Sequence, residues 1–357
     1  MTPPRPAARR PILKSLGFVL YNLVAATILL ETIIVGMLHA PRITGASPFP
    51  VRRLIQQIYR HFNRMLIQFD PPCARYDPGL FYTLRPGTCT FENIEFKNSY
   101  RINRVGVRDE SAALEAPEVI ALGDSHTMGW GVDQEDALPQ RLARKSGRKV
   151  LNAAVSSYGT VREMMMLDRL DASGLRVLII QYSDNDLPEN LTFRRDGNHL
   201  PIGSEVLYQS VVRHYAKQRA YYPFKYVFRL FLKLFELGEP EPGQLRMEPA
   251  TPAEEAELFL NALMHASRTP LDNVQVIVFE INEQIRPSRP FIAALDEARR
   301  RDANPAFVRR LIALDVAPRL SRDDFYKLDD HMNARGHDVV AGALAEQIDK
   351  GWRPVLQ

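Results

Sequence analysis

At 357 residues, with 45% hydrophobic and 25% charged composition, the chain can bury a full core and is neither disordered nor fibrous. Its formal charge of +4 is the small excess of 46 basic over 42 acidic residues, spread along the sequence instead of gathered on one face. That pattern excludes the concentrated basic surface of a nucleic-acid binder, and no nucleic-acid partner is expected.

The first 14 residues form a basic tail holding Arg5, Arg9, Arg10 and Lys14. Residues 15–40, "SLGFVLYNLVAATILLETIIVGMLHA", are apolar over a length that crosses a bilayer, which takes about 20 residues. The run exceeds the core of a secretory signal, and Pro41 follows the only small residue suited to cleavage, so it reads as a retained single-pass anchor. The basic tail favours a cytoplasmic N-terminus and an extracytoplasmic, periplasmic remainder. Glu31 lies deep in this span, where it either meets a partner helix or polar cavity, including a membrane-protein partner, or stays protonated beside Thr27. Residues 48–69 carry apolar side chains at helical spacing, with Arg52, Arg53, Arg60 and Arg64 largely off the stripe. A basic amphipathic helix directly after a span fits one lying on membrane lipids, or one packed on the protein's own core.

Residues 70–116, rich in Pro, Gly, Asn and aromatics, predict a β-rich lead-in, and hold Cys73 and Cys89. These two are either one disulfide or two buried thiols, and lack the company of a zinc site. From 117 to 350 strand and helix signals alternate: "EVIALGD", a helix near 135–147, "KVLNAAV", a helix from Thr160, "RVLIIQY", a helix from Pro252, "VQVIVFEIN", a helix around 290–301, "RRLIALDV" and a helix from Ala334. Short β-branched runs between amphipathic helices predict an α/β fold, a three-layer α/β/α sandwich around a parallel sheet. Residues 190–250 break the rhythm as an insertion. They include "YPFKYVFRLFLKLFELG", where Lys225, Arg229, Lys233 and Glu236 form a narrow polar stripe on a strongly aromatic helix, and the linker "EPEPGQ". That helix is either a lid on the sheet domain or a second element resting on the bilayer.

In a parallel sheet reactive groups collect where strands end. Ser125 follows the first strand in "GDSHT", Gly159 the second in "SSYGT", Asn185 the third in "SDNDL", and "LDDHMNARGH" brings carboxylates and His331 together before the last helix. A serine at a helix start can be a simple N-cap. Four polar sites at four such edges are hard to explain as caps.

These four blocks resemble the SGNH hydrolases, the GDSL-like esterases and lipases, in order and spacing over about residues 117 to 350. The resemblance implies that Ser125 attacks an ester carbonyl, His331 takes its proton, and the amides of Ser125 and Gly159 with the Asn185 side chain form the oxyanion hole. It implies no metal and no cofactor. Leu328 stands where the family often has its acid, so the acid is Asp329, in a shorter spacing, or Asp330. Ser183 replaces the glycine that usually precedes the asparagine by two, a departure that bears on the shape of the oxyanion pocket. Among secondary candidates, Asp124 is expected to fix the loop, His126 to touch a leaving group or acceptor or merely to pack, His337 to be structural, and Asp186 to support the Asn185 loop or bind substrate. The function expected is a membrane-anchored serine esterase acting on acyl groups of a glycan or lipid through an acyl-enzyme. Transfer of the acyl group to a sugar hydroxyl is the alternative within catalysis, and a non-catalytic membrane scaffold the alternative outside it.

Overall fold

The computed structural model describes residues 10–234, 250–282 and 290–351. Residues 1–9 of the tail, Phe235, Glu236 and the "EPEPGQ" linker lie outside the described residues. The chain divides into two compact units, residues 1–64 with 218–240, and residues 65–217 with 241–357.

In the first unit, helix α1 (Arg10–Leu38) contains the apolar run, and Ser15–Leu38 is long and apolar enough to cross a membrane. Helices α2 (Pro41–Ala46) and α3 (Phe49–Phe62) follow. The amphipathic helix therefore ends seven residues earlier than the spacing predicts. The reason lies 28 residues further on: the Asn93 side chain accepts from the Met65 amide at 2.7 Å and donates to its carbonyl at 3.2 Å, which takes that backbone out of the helix. Residues 65–69 belong to the second unit.

The second unit opens with two antiparallel hairpins, β1 (Ala74–Asp77) with β2 (Phe81–Leu84), and β3 (Gly87–Asn93) with β4 (Phe96–Ile102). Cys73 and Cys89 form a disulfide between them, with Cα atoms 5.4 Å apart. The chain then runs β5 (Val119–Leu122), α4 (Ser125–Met128), α5 (Leu138–Ser146), β6 (Val150–Asn152), α6 (Thr160–Leu167) and β7 (Val177–Tyr182). It continues through α7 (Leu187–Arg195), α8 (Glu205–Arg219), α9 (Lys225–Leu234), α10 (Pro252–His265), β8 (Gln275–Glu280), α11 (Phe291–Ala298), α12 (Ala306–Arg309), β9 (Ile312–Leu314) and α13 (Ala334–Gly351).

Strands β5 to β9 form one parallel sheet in the order β6-β5-β7-β8-β9, paired Val119 to Val150 and Val177, Val177 to Gln275, and Ile277 to Ile312. Because successive side chains face opposite ways, each strand feeds two cores. Ile120, Leu122, Leu178, Ile180, Val276 and Val278 pack with α6, α10 and α11 on one face. Val119, Ala121, Val177, Ile179, Ile277 and Phe279 pack with α5 and α13 on the other. This is the expected three-layer sandwich, and burial on both faces explains why "VIAL" and "VLIIQY" are nearly unbroken apolar runs. Helix α10 starts where the sequence says: Pro252 sits in its first turn, and Thr251 and Glu254 cap each other's amides at 2.7 and 3.3 Å.

The segment 190–250 is not one insertion. Phe193 of α7 and Leu200 pack with Val161 and Ala262 of the sheet unit, whereas the described residues 218–234 belong to the anchor unit. Lys225 is also not on an exposed stripe: it is buried, and its ammonium donates to the carbonyl of Phe62 at 2.7 Å, at the end of α3. A cation at a helix C-terminus meets carbonyls that have no partner within the helix.

Candidate active site

With the chain order reversing between β5 and β7, the C-terminal edge of these two strands is the crevice where doubly wound sheets place ligands. Gly123 ends β5 at φ +151°, and a Cβ there would lie 2.7 Å from Thr127 Oγ1 and 2.9 Å from Gln181 Oε1, so the turn admits only glycine. Asp124 caps α4, accepting from the His126 amide at 2.9 Å, while its own amide donates to Gln181 Oε1 at 3.1 Å. Ser125 is the first residue of α4, where no intrahelical bond uses the backbone amide.

His331 reaches this serine from the loop before α13. Its Nε2 lies 2.7 Å from Ser125 Oγ, and its Nδ1 lies 2.5 Å from Asp329 Oδ1 and 3.1 Å from Asp330 Oδ1. The structure thus brings Ser125, His331 and both candidate acids together, with Asp329 nearer and fully buried. Burial opposes a charge on the ring, but the Asp329 carboxylate first, and Asp330 after it, outweigh that and raise the His331 pKa to about 9.

The loop is held by residues that sequence reasoning did not single out. Glu95, between β3 and β4, accepts from three consecutive amides, Lys327 at 2.8 Å, Leu328 at 2.7 Å and Asp329 at 2.8 Å. Trp130 donates from Nε1 to Asp329 Oδ2 at 3.2 Å and stacks on the His331 ring with centroids 4.5 Å apart. Trp130 is in turn set by the hairpin, edge-on to Phe91 at 4.8 Å. Arg108, fully buried, donates to the carbonyls of Met128 at 3.3 Å, Val132 at 2.8 Å and, closer still, Gly129, fixing the strand of backbone that carries Trp130. The β-rich lead-in is therefore a wall of this site.

Gly159 is the N-cap of α6, so its amide is likewise free of intrahelical bonding. The room left by its missing Cβ is taken by Glu189, 3.0 Å away, which is paired with Arg162 at 2.6 Å. Asn185 is exposed at the end of β7. Ser183 has an extended backbone, φ −147°, open to any residue, and its hydroxyl stands between Asp124 Oδ2 at 2.9 Å and the Asn185 side-chain oxygen. The serine that replaces the usual glycine thus ties the Ser125 turn to the Asn185 turn. The sequence held a signal for it, the S-x-x-D capping box of "SDND".

Asp186 is buried, accepting from the Ser183 amide at 2.7 Å and from Thr160 Oγ1 at 2.9 Å, so it joins the Asn185 turn to α6. His126 packs against His331 with ring centroids 4.8 Å apart; burial first, then the charge on His331, pushes its pKa down to about 4. His337, buried in α13, is likewise held neutral, well below the usual histidine range, by burial. Asp329, Asp330 and His331 also have donor atoms within 4.8 Å of one another. The Ser125 hydroxyl, the His331 imidazole and the Asp329 carboxylate lie in hydrogen-bond sequence, with Trp130 on the second oxygen of Asp329.

No protein-family model matches this chain, and no curated protein matches it. Similar solved structures include a protein assigned to the lipolytic G-D-S-L family from Desulfitobacterium hafniense DCB-2, with 14% identity over 64% of this chain and 97% of that one, at a TM-score of 0.34. They also include a protein assigned as a GDSL-like lipase from Bacteroides ovatus ATCC 8483, with 17% identity over 66% of this chain and 53% of that one, at a TM-score of 0.36.

Proposed function

We propose that this chain is a membrane-anchored serine ester hydrolase of the SGNH type, and the observation that carries the proposal is the unbroken relay from Ser125 Oγ through His331 to Asp329, at 2.7 and 2.5 Å. Ser125 Oγ attacks an ester carbonyl as its proton passes to His331 Nε2, and the carbonyl π bond opens to an oxyanion. The amides of Ser125 and Gly159 with the Asn185 side chain receive that charge, a role for which one donor is worth roughly 10²–10³ in rate. The tetrahedral intermediate collapses, the alkoxide leaves with the proton from Nε2, and the acyl group remains on Ser125. Water then repeats the sequence and releases the acid. Asp329 keeps Nδ1 protonated and faces the imidazolium as it forms.

The substrate class follows from where α1 would hold the enzyme: acyl groups, acetyl or longer, carried by a glycan or lipid at a membrane surface. The Cys73–Cys89 disulfide supports an oxidising, extracytoplasmic side, in agreement with the basic residues before the span. The test is hydrolysis of an aryl acetate by the purified full chain in detergent. Wild type is expected to turn over, and Ser125→Ala to fall to the uncatalysed rate with an unchanged melting temperature. Equal rates for the two would overturn the proposal.

A further inference from the structure

Charges at helix ends hold the anchor unit together. Glu31, seven residues before the end of α1, is 5% exposed, and its carboxylate accepts from the amides of Tyr226 at 3.1 Å and Val227 at 3.0 Å in the first turn of α9. The positive end of a helix is where a carboxylate is stabilised. Beside it Lys225 donates to Phe62 O, and Tyr226 Oη donates to Asn63 Oδ1 at 2.8 Å, so the start of α9 is fixed to α1 and to the end of α3 together.

Within α9, Phe228 and Phe231, 51 and 52% exposed, stand three residues apart on one face, and Phe224, 41% exposed, directly precedes the helix. The charged residues of α9 are all basic by sequence, and the first, Lys225, is turned into the unit, donating to the Phe62 carbonyl. Arg229 lies over the Phe62 ring at 5.8 Å, within the unit. Helix α1 itself exposes apolar side chains, among them Leu23, Ile28, Leu29 and Ile33, over the segment long enough to cross a membrane. Seven residues of α-helix rise about 10 Å. The start of α9 therefore meets α1 about 10 Å short of its end, and interfacial helices bury their apolar face about 5–10 Å into the headgroup and acyl boundary.

We infer that α9 is a lipid-facing interfacial helix, inserted through Phe224, Phe228 and Phe231 into the leaflet that holds the C-terminal end of α1, with Glu31 setting its depth. The inference rests on α1 spanning the membrane. Its test uses the full chain in nanodiscs of phosphatidylcholine and phosphatidylglycerol, with one new cysteine at a time labelled with an environment-sensitive fluorophore. The variants are Phe228→Cys, Phe224→Cys, Leu23→Cys within α1, and Val206→Cys, which is 77% exposed in the other unit.

The labels at 228 and 224 are expected to be quenched at least twofold more by lipid carrying a nitroxide at acyl carbon 5 than at carbon 12, and to resist aqueous iodide. Position 23 is expected to be quenched by lipid and position 206 only by iodide. Iodide quenching at 228 and 224, or protection there from iodide and lipid alike as in a protein contact, overturns the inference while position 23 keeps the span intact. Failure at position 23 removes the span and the inference with it. Glu31→Leu is expected to reduce lipid quenching at 228, and unchanged quenching would take the depth-setting role from Glu31.

Discussion

Two carboxylates meet one nitrogen of His331, and they are not equivalent. Asp329 is fully buried, 2.5 Å from Nδ1, and fixed by Trp130, whereas Asp330 stands at 3.1 Å and is partly exposed. Asp329→Asn is expected to lower kcat by about 10³–10⁴, the cost of the wrong tautomer, and Asp330→Asn by far less. The reverse ranking would make Asp330 the orienting acid. The pH profile separates the two further. His331 accepts the serine proton only when neutral, and with its pKa raised to about 9 only about 1% of the resting rings are neutral at pH 7. Activity of wild type on an aryl acetate should therefore climb from pH 7 towards 9. Removing the Asp330 charge lowers the histidine pKa, so the rising limb in Asp330→Asn should move to lower pH; a limb that stays in place would mean Asp330 does not act on the ring. The pairing of Ser125 with His331 was legible in the sequence through the resemblance of their two short blocks to those of the SGNH hydrolases. The choice between adjacent aspartates was not, since it depends on the direction in which each side chain leaves the loop.

At the scale of elements, the β3–β4 hairpin does for His331 what a helix end does for Ser125. Glu95 gathers three amides of the loop before the histidine, and burial raises its pKa, a cost those three hydrogen bonds offset only in part. Glu95→Gln keeps the volume but turns an NH₂ towards backbone donors. It is expected to lower kcat by up to about 10², the scale of a 1 Å misplacement, with KM little changed. Unchanged kcat would make the hairpin a structural neighbour only. Nothing in the sequence announced this role: residue 95 lies more than 230 positions from the amides it holds, and no periodicity encodes such a contact. The strands and most helices were legible, because buried parallel strands read as apolar runs and "TPAEE" or a terminal glycine marks a helix end. The end of α3 was misjudged because a side chain from β3, Asn93, decides it.

The whole molecule joins an anchor unit and a sheet unit, and the chain passes between them more than once, which is why residues 190–250 looked like a single insertion. The disulfide belongs to the sheet unit and closes a loop across a sequence separation of 16. Loops of that size contribute about 3 kcal/mol by limiting the unfolded chain. Cys73→Ala with Cys89→Ala is therefore expected to lower the melting temperature of the sheet unit by several degrees, and an unchanged melting temperature would mean the bridge adds nothing. The central claim, that Ser125 is an activated nucleophile, has its most direct test in the intact mass of the full chain after reaction with a fluorophosphonate. One adduct per chain is expected, mapped by peptide sequencing to Ser125, absent from Ser125→Ala and formed much more slowly in His331→Ala. An unmodified wild-type chain, or an adduct on any other residue, would contradict the account.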